Sequence, residues 1–393
     1  MIRRLLLAFG LAAGGAGVAW ADCRTVAITA AGRPVVGIED LVLDEEEGRV
    51  LLSAYDRRAD PERAGGGLFA VPLAALAGDH AADRAEAVEL SAGFRPAGGF
   101  RPHGIDLRVE ADGRRSILAI NRRTGGGTAI NRRTGGGTAV ERFTLGGTAL
   151  RPVLRHEGTV EDPLLCRAND LAFLDGDRFL FTADHGGCGW AAVALENVLG
   201  LRRGFVGLVE GGRARAVAGG IGFPNGLLPD PAADRLYVAA TRERAVLAYR
   251  LSGLFDGSAT APVGRIPVPG GPDNLSRAPA GSAWSGRILA AVHPSLFALA
   301  LHRYGLPGGG TAPARVVALD GGAAEVLPAD LLVDEDGRRF SAATVAAAWG
   351  DRLIAGSVMS DRLLVCGAVP NDAVPSDAGR SSGSAARSAP TPP

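Results

Sequence analysis

The chain has no lysine and no glutamine, so all 42 of its basic residues are arginine. Asparagine is nearly as scarce, with seven copies against 57 glycines. This profile reads as GC-rich coding bias, which strips abundant Arg, Ala and Gly of functional meaning. It gives weight to the few Asn, six His and four Cys. Charge of one sign is not in excess, because 42 acidic residues balance the 42 basic ones, and a uniformly basic nucleic-acid binder is excluded. CxxC spacing is missing, which argues against a zinc site. No apolar run beyond the first two dozen residues is long enough to span a bilayer. Hydrophobic residues at 47% and 393 positions still provide for one large folded domain or two ordinary ones.

Residues 1–21 read as a secretory signal. Arg3 and Arg4 precede an apolar stretch, and Ala19-Trp20-Ala21 gives small residues at a cleavage site. Asp22 before Cys23 argues against a lipoprotein site. Residues 371–393, rich in Ser, Ala, Pro and Gly, read as a disordered tail, which leaves 22–370 as the folded domain. Export implies an oxidising compartment, periplasmic or extracellular. Four cysteines allow three pairings. A Cys23–Cys366 bridge would join first and last elements, while Cys166 and Cys188 flank one hairpin and could pair or stay thiols.

Six segments repeat one layout: a polar anchor, a short apolar strand, a turn, and a second apolar strand. They begin at Glu39, His103, Asn169, Asn225, Asp273 and, more weakly, Ser341. Turn dipeptides such as Asp-Gly separate the strands, and third strands follow in GGGLFAVPL, TAVERFTL and RAVLAYRL. Helical segments are few, with DPERAG and ALENVLGLR the best candidates. Units of roughly 60 residues with three or four strands each predict an all-β, six-bladed propeller with a central tunnel. In an antiparallel meander every anchor then faces one end of the tunnel. Glu39, Asn169, Asn225, Asp273 and Asn274 supply five oxygens and two negative charges, which suit Ca²⁺. Asp40 and Asp170, with a backbone carbonyl near Ile105, could hold a second ion deeper in the tunnel.

The pieces GIEDL, RPHGID, NRRT, ANDLAF with FTADH, PNGL, PDNLS with AVHP, and ATVAAAWGDRLIAGSVMSDRLLVC resemble, in order and spacing, the paraoxonase/arylesterase family of six-bladed propellers. The resemblance runs over residues 37–366. It implies a catalytic calcium at the five-oxygen set and a structural calcium at Asp40, Asp170 and the Ile105 carbonyl. It also implies a Cys23–Cys366 disulfide and hydrolysis of small-molecule lactones or aryl esters. His103 matches the family's general base, and His293 and Asp184 match positions around the site; His185 reads as a wall residue or one that backs the site's residues. The family's second histidine is replaced here by Arg122, which cannot accept a proton and could instead bind an anionic substrate group. AINRRTGGGT at 119–128 recurs unchanged at 129–138, so Asn131-Arg132 could equally fill that position, and the extra copy could act as a lid. The sequence also admits two rivals: a gluconolactonase- or strictosidine-synthase-like propeller, and a non-enzymatic binding propeller with structural calcium.

Overall fold

The computed structural model describes residues 23–59, 66–77, 83–123, 137–148, 151–321 and 329–367. The expected signal (1–21), tail (371–393), DPERAG helix, His80 and most of the duplicated segment, including Asn131 and Arg132, lie outside the described residues. The described chain forms six antiparallel sheets arranged as a six-bladed β-propeller. Each sequence segment with its anchor supplies the two inner strands of one blade. The innermost strands are Ile38–Asp44, Pro102–Val109, Ala168–Phe173, Pro224–Asp230, Gly271–Arg277 and Ala343–Trp349.

Small buried residues dominate where strands crowd the axis, as in ATVAAAW of blade six. Larger residues fill the wedges between blades, where Leu236, Val238 and Tyr249 of blade four meet Leu180, Val206 and Leu208 of blade three. The ring closes in blade six. There the strand Cys23–Ala30 pairs antiparallel with Arg362–Gly367, Cys23 faces Cys366, and the two sulfurs are bonded. Cys166 and Cys188 are also bonded, which settles the pairing that the sequence left open.

The innermost strand of every blade carries a register irregularity at its anchor: between Ile38 and Asp40, Pro102 and Ile105, Ala168 and Leu171, Pro224 and Leu227, Pro272 and Leu275, and Ala343 and Val345. An extra residue breaks the ladder and re-aims side chains, so the anchors leave strict alternation and turn toward the axis. Two helices leave the ends of second strands: Trp190–Leu199, which covers the first six residues of the expected candidate ALENVLGLR and stops at the left-handed Gly200, and Leu296–Tyr304, which the sequence did not predict. Among the described residues no helix is long and apolar enough to cross a membrane.

Candidate functional site

Contacts between neighbouring inner strands draw the anchors together. Asp40 of blade one accepts from the Ile105 amide of blade two (2.7 Å), and Asp170 of blade three accepts from the Leu227 amide of blade four (2.9 Å). Asn274 Nδ2 of blade five donates to the Glu39 carbonyl (3.3 Å), which also accepts from Thr344 of blade six (2.7 Å). Two glycines make this approach possible. A Cβ on Gly104 would stand 2.7 Å from Asp170 Cα, and one on Gly226 would stand 2.6 Å from Asn274 Cα and the Leu275 nitrogen. Backbone cannot yield that space, so Gly226→Ala is expected to force blades four and five apart. It should abolish activity while leaving a folded but destabilised protein; wild-type kinetics would show that the spacing is not needed.

All eight predicted ligand residues are buried; Asn274 touches Glu39 and Ile105 touches Asp40, and Asp40, Ile105 and Asp170 line one cavity. Among the described residues no three His, Cys, Asp or Glu form a metal-holding group, so the candidate set depends on amide oxygens. Glu39 Oε2, Asn169 Oδ1, Asn225 Oδ1 and Asn274 Oδ1 are buried without a hydrogen-bond donor. The nitrogens of Asn169 and Asn274 are committed elsewhere, to Asp184 (3.3 Å) and the Glu39 carbonyl, so these amides keep their oxygens turned inward. A buried acceptor without a donor costs about 1–3 kcal/mol, and carboxylate and amide oxygens left without one are the ligand type a hard cation takes. Burial pushes the Glu39 carboxyl up to about 7 against the pull of Arg57. Asp40 and Asp170 are held well above the usual carboxylate range by burial, with nearby carboxylates adding to it. Ile105 contributes its amide to Asp40.

His103 Nδ1 accepts from Arg57 Nη2 at 2.8 Å, and Glu39 Oε2 lies 3.1 Å from the same nitrogen. Burial, reinforced by Arg122, Arg57, Arg303 and Arg167, holds this imidazole well below its ordinary pKa and therefore neutral. His293 Nε2 donates to Asp273 Oδ2 (2.6 Å), and its Nδ1 is buried without a partner. Asp184 bridges Arg167, His185 and the Asn169 amide, with Arg122 Nη2 at 3.4 Å. Although burial works against it, the His185 hydrogen bond and the two arginines hold its carboxyl below the usual range. His185 is held between Asp184 and Asn197 Oδ1. His156 and His302 lie off the ring, against Glu141 and Arg58 respectively.

Several contributors escaped the sequence reading. Arg57 and Tyr55 stack at 4.0 Å beside His103, but one arginine among 42 carries no signal. Ser53, Thr182 and Thr241, near the ends of second strands, donate to the His103, Asn225 and Pro272 carbonyls of the next blade. These hydroxyls satisfy carbonyls that the register irregularity removes from the ladder. Their signal was present as a small hydroxyl residue recurring in LLSAY, FLFTA and VAAT.

The arylesterase family model matches residues 25–367. The mouse (Mus musculus) serum paraoxonase/lactonase 3 is 24% identical over 279 residues, covering 71% of this chain and 72% of that protein. Among solved structures, a protein of unknown function from Dyadobacter fermentans superposes with a TM-score of 0.52 at 10% identity, covering 88% of this chain and 98% of the other. A gluconolactonase from Xanthomonas campestris gives a TM-score of 0.40 at 15% identity, with 85% and 97% covered.

Proposed function

The chain belongs to the arylesterase family, and from that premise we propose that it is an exported, calcium-dependent hydrolase of lactones and aryl esters. The observation that carries the reading is the set of four buried, donor-less oxygens on Glu39, Asn169, Asn225 and Asn274. With Asp273 they offer five oxygens and two charges for one calcium, as the ion prefers. Asp40, Asp170 and Ile105 are the proposed holders of a second, structural ion. The basic-then-apolar leader at 1–21 and the two disulfides support export to the periplasm or beyond.

Bound calcium would polarise the substrate carbonyl and stabilise the developing oxyanion. The chain's own groups handle the proton and the geometry. Asp184 is a positioning residue: it fixes the Asn169 amide, and with it the direction of Oδ1. His103 is the proposed base for the attacking water. In the resting site Arg57 occupies Nδ1, so that hydrogen bond must open before this nitrogen can take a proton. A second reading assigns the proton to His293. Its Nε2 is spent on Asp273, and Nδ1 keeps a free lone pair.

Assays with phenyl acetate and γ-butyrolactone test the reading. Substituting the true base by glutamine should lower kcat by about 10²–10⁴-fold, so His103→Gln and His293→Gln separate the two assignments. A few-fold loss in both would remove histidine from proton transfer. A folded, calcium-loaded protein that turns over neither substrate would leave only a binding scaffold.

A further inference from the structure

The tunnel mouth carries more positive charge than its own residues can balance. Arg57, Arg122, Arg167 and Arg303 all act electrostatically on His103. The facing carboxylates are Glu39, Asp273 and Asp184. In the proposed function the first two are consumed by the cation, and Asp184 is already held by Arg167 (2.9 Å) and His185 (2.7 Å). The Arg122 side chain donates to the Ala168 carbonyl (3.1 Å), reaches Asp184 only at 3.4 Å, and is 21% exposed. Arg303 stands exposed in the last turn of the helix Leu296–Tyr304 and makes no ion pair among the described residues. Arg58 Nη2 donates to the His302 carbonyl (2.6 Å), so the last turn of that helix, with Arg303, lies against the segment that carries Arg57, and the two guanidiniums repel one another. Guanidinium groups brought together in this way lower their energy by sharing an anion, and Arg is the side chain best shaped to grip a carboxylate.

We propose that the substrate is a lactone bearing a carboxylate, seated between Arg122 and Arg303 while the ring carbonyl faces the donor-less oxygens. This rests on the hydrolase reading above and adds the substrate class to it. Arg122 then becomes a specificity element, a permanent charge at the mouth.

The test compares a γ-lactone carboxylate with its primary amide, which is neutral and nearly the same size. Wild type should prefer the carboxylate in kcat/KM by about tenfold or more, the worth of one charge-assisted hydrogen bond. The preference should shrink as salt is raised. Arg122→Met and the exposed Arg303→Met should each collapse the ratio through KM. Binding of 3-oxocyclopentane-1-carboxylate and its amide, followed by calorimetry, reads the same arginines without any ester to cleave. If no lactone is hydrolysed but the ketone carboxylate binds selectively and both variants lose it, the anion site stands and the hydrolase reading falls. If lactones are hydrolysed with no carboxylate preference, or both variants slow the acid and the amide equally, the anion site is wrong while the hydrolase reading survives. If neither hydrolysis nor selective binding occurs, both fail.

Discussion

Removing calcium with a chelator is expected to abolish hydrolysis and to lower the melting temperature, by more at pH 8 than at pH 5. Loss of oxyanion stabilisation alone should cost about 10²–10³ in kcat, and re-added Ca²⁺ should restore it. The stability effect follows from the buried carboxylates. Metal-free, Glu39 is pushed from 4.5 up to about 7, and Asp40 and Asp170 also lie well above their ordinary value. An acid whose folded pKa is raised binds protons that the unfolded chain has released. The metal-free fold therefore loses stability as pH climbs from the ordinary carboxylate range through about 7. Each unit of such a shift is about 1.4 kcal/mol, so Glu39 alone puts about 3 kcal/mol at stake, and Asp40 and Asp170 act in the same direction. A bound cation keeps the same carboxylates ionised and removes the penalty. Its stabilising increment, about 2.7 kcal/mol at a hundredfold excess over Kd from mass action, should thus widen with pH. Calorimetric melts at both pH values, with and without chelator, measure this. Identical melting temperatures in all four conditions, with activity retained in chelator, would exclude calcium from the site.

How far the sequence revealed this depended on what each residue type could signal. The hairpins were legible because a period of two, broken by Asp-Gly turns, has few readings. The polar ring was legible because Asn is scarce, with seven copies in 393 residues, so Asn169, Asn225 and Asn274 at one layout position stood out. The irregularity that turns those side chains inward was not legible. One inserted residue in a short strand looks like ordinary alternation shifted by one. Arg57 was hidden by the abundance of its own type, and its grip on His103 Nδ1 depends on two segments 46 residues apart. The Cys166–Cys188 bond could not be chosen over free thiols, since spacing alone does not fix connectivity. The helix Leu296–Tyr304 was missed because LFALALHRY, caught between a strand end and a Pro-Gly turn, reads as one more apolar run.

Cutting the ring closure should produce the other large effect. The double variant Cys23→Ser/Cys366→Ser is expected to melt roughly 10 °C below the parent while keeping near-normal kcat at 20 °C. The bond spans 343 residues, and loop-entropy arguments assign about 6 kcal/mol to so long a closure. In a chain of this size each kcal/mol moves the midpoint by about 2–4 °C. The loss should be partial rather than total. The two strands still pair from Cys23 opposite Cys366 to Ala27 opposite Arg362, and Val26 and Ile28 remain packed in the core between blades six and one. Activity should survive at low temperature because the bond lies on the outer strands of blade six, while the donor-less oxygens sit on the inner strands of blades one, three, four and five. The contrasting variant Cys166→Ser/Cys188→Ser releases a loop of 22 residues, a smaller entropic loss of about 3 kcal/mol. Cys166 lies just ahead of Asn169, and Cys188 follows the Gly186 and Gly187 amides that Glu196 grips. That variant should lose more activity than the first for less melting temperature. If the first double variant melts within 2 °C of the parent, the entropic account of ring closure fails. If it loses activity while still folded, blade six contributes to the site in a way that these contacts do not contain.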